Sequence, residues 1–170
     1  MTPESLLLVA DELITAPGPG APAQARLRRS ISTSYYAAFH AALEVCASQG
    51  AGVTADADAR EAIRRSVSHS ALKATADRII KAPQQVPTVQ ERGRAAQALA
   101  YQLRRHGWSS YMSDFRTLQE QRHIADYDLS FRVYLQAART AHAQAQHLCA
   151  FLLQHKTGNE GRAFYVLALS

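Results

Sequence analysis

The placement of the helix breakers constrains this chain more than any other feature. Only eight glycines and six prolines occur in 170 residues, and most of them gather at Pro17–Pro22, Gly50–Gly52, Pro83–Pro87 and Gly158–Gly161. Between these breaks run long stretches rich in Ala, Leu, Gln, Arg and Glu, residues that lose little freedom on entering a helix. No stretch reads as a strand. The expected fold class is therefore all-α, an up-and-down helical bundle of four to six helices.

A chain of this length buries one good core and is short for two. Residues 1–157 are expected to form a single helical domain, with 158–170 as a C-terminal extension that packs back on the bundle or joins a subunit interface. The first helix should span Pro3 to Ile14, capped by Thr2 with Pro3 at its first position. The second should run from Ala23 to Ser48 with two apolar seams, Ile31/Tyr35/Ala38/Ala42/Val45 and Tyr36/Phe39/Leu43/Cys46. Two seams imply a helix contacted on more than one side. A third helix is expected over Ala59–Lys81, and Thr88 with Glu91 suggests a capping box that starts a helix to Arg105. His106-Gly107 stops that one. Ser113–Arg122 reads as a short helical segment, and Asp128 or Ser130 as the cap of a last helix through His155. Its inward stripe would hold Phe131, Tyr134, Leu135, Ala138, Ala141, Ala145, Leu148 and Leu152.

The formal charge is +5 with a sequence pI of about 9.5, and apart from Lys73, Lys81 and Lys156 every basic residue is Arg. Guanidinium groups pair bidentately with phosphate or carboxylate, so this balance fits a phosphate-bearing or acidic partner, and equally an Ala- and Arg-rich composition that reflects a GC-rich genome. The arginines are scattered, however, and no dense run marks a docking stripe. Cys46 and Cys149 lie in apolar helical sequence and read as reduced, buried thiols. There is no CxxC, no HExxH and no zinc-type Cys/His spacing, so no metal or other cofactor is expected. Met1-Thr2-Pro3-Glu4 lacks the basic start of a signal peptide and no apolar run is of membrane-spanning length, which points to a cytoplasmic protein.

Two polar and aromatic clusters interrupt the Ala/Leu-rich background. In Ser34-Tyr35-Tyr36-Ala37-Ala38-Phe39-His40, Tyr35 and Phe39 are core material, whereas Tyr36 and His40 stand four apart and project from one face, where they could bind a ligand. In Arg122-His123-Ile124-Ala125-Asp126-Tyr127-Asp128, opposite charges crowd what reads as a helix break. Arg122 can pair there with Asp126 or Asp128, and either carboxylate can cap a helix. Of the other imidazoles, His142 and His147 are five apart and share no face, and His106, His123 and His155 fall near helix ends.

Taken together, these segments resemble a HEPN domain, closest to the small prokaryotic members with an AYYAxFHA-like first motif and an LRxxADYD-like second one. Ser68-His69-Ser70 is similar to that branch as well, and the likeness extends over roughly Arg26 to Leu153. It implies a helical bundle that forms homodimers and works in toxin–antitoxin pairs, with a nucleotidyltransferase-type partner, or on RNA. The nuclease members carry an Arg followed, after four to six intervening residues, by a His, and cleave RNA without metal, using the imidazole as acid and base. Here Tyr127, Asp128 and Leu129 occupy the slots open to that His. A phenol with pKa of about 10 is a poor base at neutral pH. Arg64 and His69 also satisfy the spacing, though on a different helix, and such a pattern arises readily in an Arg-rich chain. A composite site drawing on Arg122, Tyr127 and His69, with Tyr36, His40, Asp126 and Asp128 as binding residues, remains open. The resemblance thus implies a binding or regulatory component with a degenerate RNase motif. The alternatives are an active metal-independent endoribonuclease using Arg122, and a structural or protein-interaction bundle.

Overall fold

In a computed structural model, residues 2–15, 20–52, 54–83 and 92–170 are described, with the side chains of 92–94 left aside. Eight helices and no strand occur among them: α1 (Pro3–Thr15), α2 (Ala21–Gly50), α3 (Ala57–Ser66), α4 (His69–Lys81), α5 (Arg92–Arg105), α6 (Trp108–Tyr127), α7 (Leu135–Gln154) and α8 (Asn159–Ala168). The chain is an all-α helical bundle with more helices than the four to six expected. The suggested Thr88/Glu91 capping box lies outside the described residues.

The chain divides into two compact units, one comprising Met1–Ala41 and Asp114–Ala150, the other Ala42–Ser113 and Phe151–Ser170. In the first unit Thr2 caps α1 as expected, its hydroxyl accepting the amide of Ser5 at 3.2 Å. This unit buries Leu6, Ala10 and Ile14 of α1, Ile31, Tyr35 and Ala38 of α2, Phe115 and Leu118 of α6, and Ala138, Ala141, Ala145 and Leu148 of α7. Tyr35 anchors the aromatic part of this core, its ring centroid 5.7 Å from that of Phe115 and 6.2 Å from that of Phe39. Such tilted pairs add to the simple burial of their area.

In the second unit α4, α5 and α8 pack on one another. Leu72, Ala76 and Ile79 of α4, Leu103 of α5, and Phe164 and Leu167 of α8 form its core with Trp108, which is fully buried. The Trp108 ring lies 5.2 Å from Phe164 and 5.0 Å from Phe151. Residues 158–170 therefore contribute core side chains to this unit. Arg104 closes the C-terminal end of α4, donating to the carbonyls of Ile80 (2.6 Å) and Ala82 (2.8 Å), which have no partner further along the helix. Gly161 lets the chain pass within contact of itself, since a Cβ there would lie 2.3 Å from the carbonyl oxygen of His155.

Three expected boundaries differ. The helix read over Ala59–Lys81 is two helices, because Val67 is extended and buried and Ser68 is the N-cap of α4, accepting the amide of Ala71 at 3.1 Å. The segment read as Ser113–Arg122 is a 20-residue helix that runs through the second motif to Tyr127. An ion pair one turn apart favours helix over the break that the charges suggested. Finally, α7 starts at Leu135, so neither Asp128 nor Ser130 caps it. Phe131, Tyr134 and Leu135, placed in its inward stripe, are 46%, 68% and 41% exposed, and Val133 is the buried residue there. From Ala138 to Leu152 the expected stripe is buried.

Candidate functional site

Gln24, Arg28, Ser32, Tyr36 and His40 follow one another at intervals of four along α2 and form one polar row. Residues so spaced form one ridge. Within the first unit, four members of this row meet the end of α6 and the connection after it in antiparallel order. The Gln24 side chain both donates to the carbonyl of Val133 (2.8 Å) and accepts its amide (3.0 Å). The Arg28 guanidinium donates to the carbonyls of Ala125 (2.9 Å), Asp128 (2.8 Å) and Leu129 (3.4 Å), and to that of Phe131. Ser32 donates its hydroxyl to the Asp126 carboxylate. The Tyr36 hydroxyl accepts from Nη2 of Arg122 at 2.9 Å.

Arg122 is the centre of this row of contacts. Its Nε lies 2.7 Å from Oδ2 of Asp126, one turn on along α6, and both side chains are 24% exposed. Its guanidinium also stands 5.5 Å from the ring centroids of both Tyr36 and Tyr127. Aromatic faces attract a cation most where water is scarce. Burial works against the Arg122 charge, but Tyr36, Asp126 and Tyr127 together outweigh it, so its pKa lies above the ordinary guanidinium range. The same charge lies near Tyr35. Burial dominates there and pushes the Tyr35 phenol from 10.0 up to about 12, although Arg122 and the Gln119 hydrogen bond pull the other way.

The two aspartates have different tasks. Asp126 spans Arg122 and Ser32 and so joins α6 to α2. Asp128 builds the turn that follows α6, with Oδ1 accepting the Ser130 hydroxyl (2.6 Å), the Ser130 amide (3.0 Å) and the Phe131 amide (3.2 Å). These donors, the Ser130 hydroxyl foremost, hold the Asp128 carboxyl below its usual pKa, and Arg28 adds to the effect. Arg122 pairs with Asp126, and the hydrogen bonds of the Asp128 carboxylate are to its own turn.

Tyr127 is 64% exposed at the last turn of α6, its ring centroid 5.0 Å from that of His123. His123, read simply as a residue near a helix end, thus carries an exposed imidazole next to Tyr127. His40 is half-buried with its ring edge-on to Phe39 at 6.0 Å. His69 belongs to the second unit, where it is the first residue of α4. Arg64, its partner in the alternative spacing, pairs with Glu44 at 2.6 Å and Glu61 at 3.5 Å.

The arrangement offers a partly exposed, fixed guanidinium between two phenol rings, a group suited to a phosphate or a carboxylate. Among the described residues no group of three or more His, Cys, Asp or Glu is placed to hold a metal ion, and no helix is long and apolar enough to cross a membrane. Gln24, Arg28 and Ser32 were not among the expected site residues. Their signal was the four-residue spacing that continues from Tyr36 toward the N-terminus of α2. No family model, no curated protein and no solved structure matches the chain.

Proposed function

We propose that this chain is a HEPN-like helical protein that acts by binding, as a regulatory component of an RNA-related or defence system. In this reading it is cytoplasmic and resembles the HEPN half of a toxin–antitoxin or nucleotidyltransferase pair. It assembles as a homodimer through its long helices, and its RNase motif is degenerate. The observation that carries the reading is the holding of Arg122 by Tyr36 and Asp126, with Tyr127 in the slot nearest the family's catalytic imidazole. A guanidinium fixed in this way can grip a phosphate or an acidic side chain. A phenol beside it is poorly suited to take a proton at neutral pH.

The test is to incubate the protein with labelled single-stranded RNA in the presence of a chelator, and to measure its mass by light scattering. The expected result is twice the 18.6 kDa chain mass, with RNA retained intact and binding weakened by Arg122→Ala. Cleavage that Arg122→Ala abolishes would overturn the reading in favour of a metal-independent endoribonuclease. One observation favours that second reading: the exposed His123 imidazole lies against Tyr127, whose ring in turn faces the Arg122 guanidinium. Neither binding nor cleavage would leave the chain as a structural or protein-interaction bundle.

A further inference from the structure

The connection from the end of α6 into α7 exposes large side chains in close succession. Tyr127 is 64% exposed, Leu129 88%, Phe131 46%, Tyr134 68% and Leu135 41%. Single exposed apolar residues are ordinary on a protein surface, but such a cluster marks a binding surface. Three of the five are aromatic, and Arg132 stands between two of them. Arg132, Arg139 on α7 and Arg29 on α2 are exposed and make no ion pair among the described residues. The nearby carboxylates are already engaged, Asp126 by Arg122 and Ser32, Asp128 by its own turn. The surface is therefore aromatic and net positive.

We propose that this segment is a platform for single-stranded RNA, with bases stacked on Tyr127, Phe131 and Tyr134 and backbone phosphates against Arg132 and Arg139. The inference rests on the RNA-binding reading above and goes beyond it in naming the form of the RNA and the surface. Rings can reach base faces only where bases are unstacked, which a duplex denies them and a single strand permits. A second copy of the chain fits the patch less well. A two-fold pairing would bring two positively charged patches together, with the local carboxylates already engaged. The backbone that carries the rings is held in place by Arg28 and Gln24, so little ordering is left for the moment of binding.

The experiment is fluorescence anisotropy of the full chain with a short labelled oligouridylate and with an RNA duplex of the same length, read across a salt series. The single strand should bind at least tenfold more tightly than the duplex. Tyr134→Ala should weaken it by about tenfold, Tyr134→Phe should restore it, and Arg132→Ala should flatten the salt dependence by about 0.7 in log–log slope. If RNA binds and responds to Arg122→Ala but not to Tyr127→Ala or Tyr134→Ala, the platform is wrong and the RNA reading stands. If the full chain binds no RNA, both fall. If Tyr134→Ala halves the mass in solution and leaves RNA affinity unchanged, the surface is a subunit interface and the proposal is overturned.

Discussion

Asp126 stands one turn beyond Arg122 on α6 and holds its guanidinium at 2.7 Å, while its second carboxylate oxygen takes the hydroxyl of Ser32 on α2. One side chain thus serves as counter-ion to the site and as a tether between two helices. Removing either partner leaves a partly buried charge without its complement.

Arg122→Ala should lower stability by about 1–3 kcal/mol, because Asp126 is left partly buried with only a hydroxyl to satisfy it. Tyr36→Phe, which removes one acceptor and keeps the ring, should cost about 1 kcal/mol. Urea denaturation measures both. The double variant Arg122→Ala/Asp126→Ala should be less destabilised than the sum of its single changes, since the two residues act as a unit.

Arg28→Lys should loosen the connection after α6. A lone ammonium cannot reach the carbonyls of Ala125, Asp128 and Leu129 together as the planar fork does. Amide exchange at Ser130, Phe131 and Val133 should speed up, and stability should fall by about 1–2 kcal/mol.

Alkaline pH should destabilise the first unit through Tyr35. Its phenol is raised from 10.0 to about 12 by burial, so the fold favours the neutral form over the phenolate. That contribution is complete below pH 10 and is lost as pH rises toward 12. Cys46 and Cys149, raised by burial from 9.0 to about 12, act in the same direction from a lower starting pH. Tyr35→Phe should remove only the tyrosine share, visible as a shallower loss of stability above pH 10 in denaturation curves taken at successive pH values.

Ser68→Ala should cost about 1 kcal/mol by leaving the Ala71 amide without its cap, whereas Ser68→Asp should keep the bond and the stability. Thermal melts followed by circular dichroism separate the two.

The parts of this fold that were legible in sequence are those written in side chains that face inward at helical spacing. Apart from the half-buried Tyr36, the seams on α2 are buried as their periodicity implied, and so is the stripe from Ala138 to Leu152. The break at Ser68 was not legible, because a serine between good helix formers caps a helix only where the backbone has already turned. Phe131 and Tyr134 continue an apolar pattern and yet face outward, since the backbone there is held by α2 and is not helical, and Leu135 only begins α7. In the site, the pairing of Arg122 with an aspartate could be read from spacing. The role of Arg28 could not, because its ligands are carbonyl oxygens and every residue has one.

That last point bears on how such a surface changes over time. Arg28 and Gln24 grip main-chain atoms, so their hold is indifferent to which side chains the connection carries. Leu129, Arg132 and Tyr134 can therefore be exchanged for other residues while the mount beneath them stays the same. A lineage could retune what this face binds by substitutions in a handful of codons, with little effect on folding.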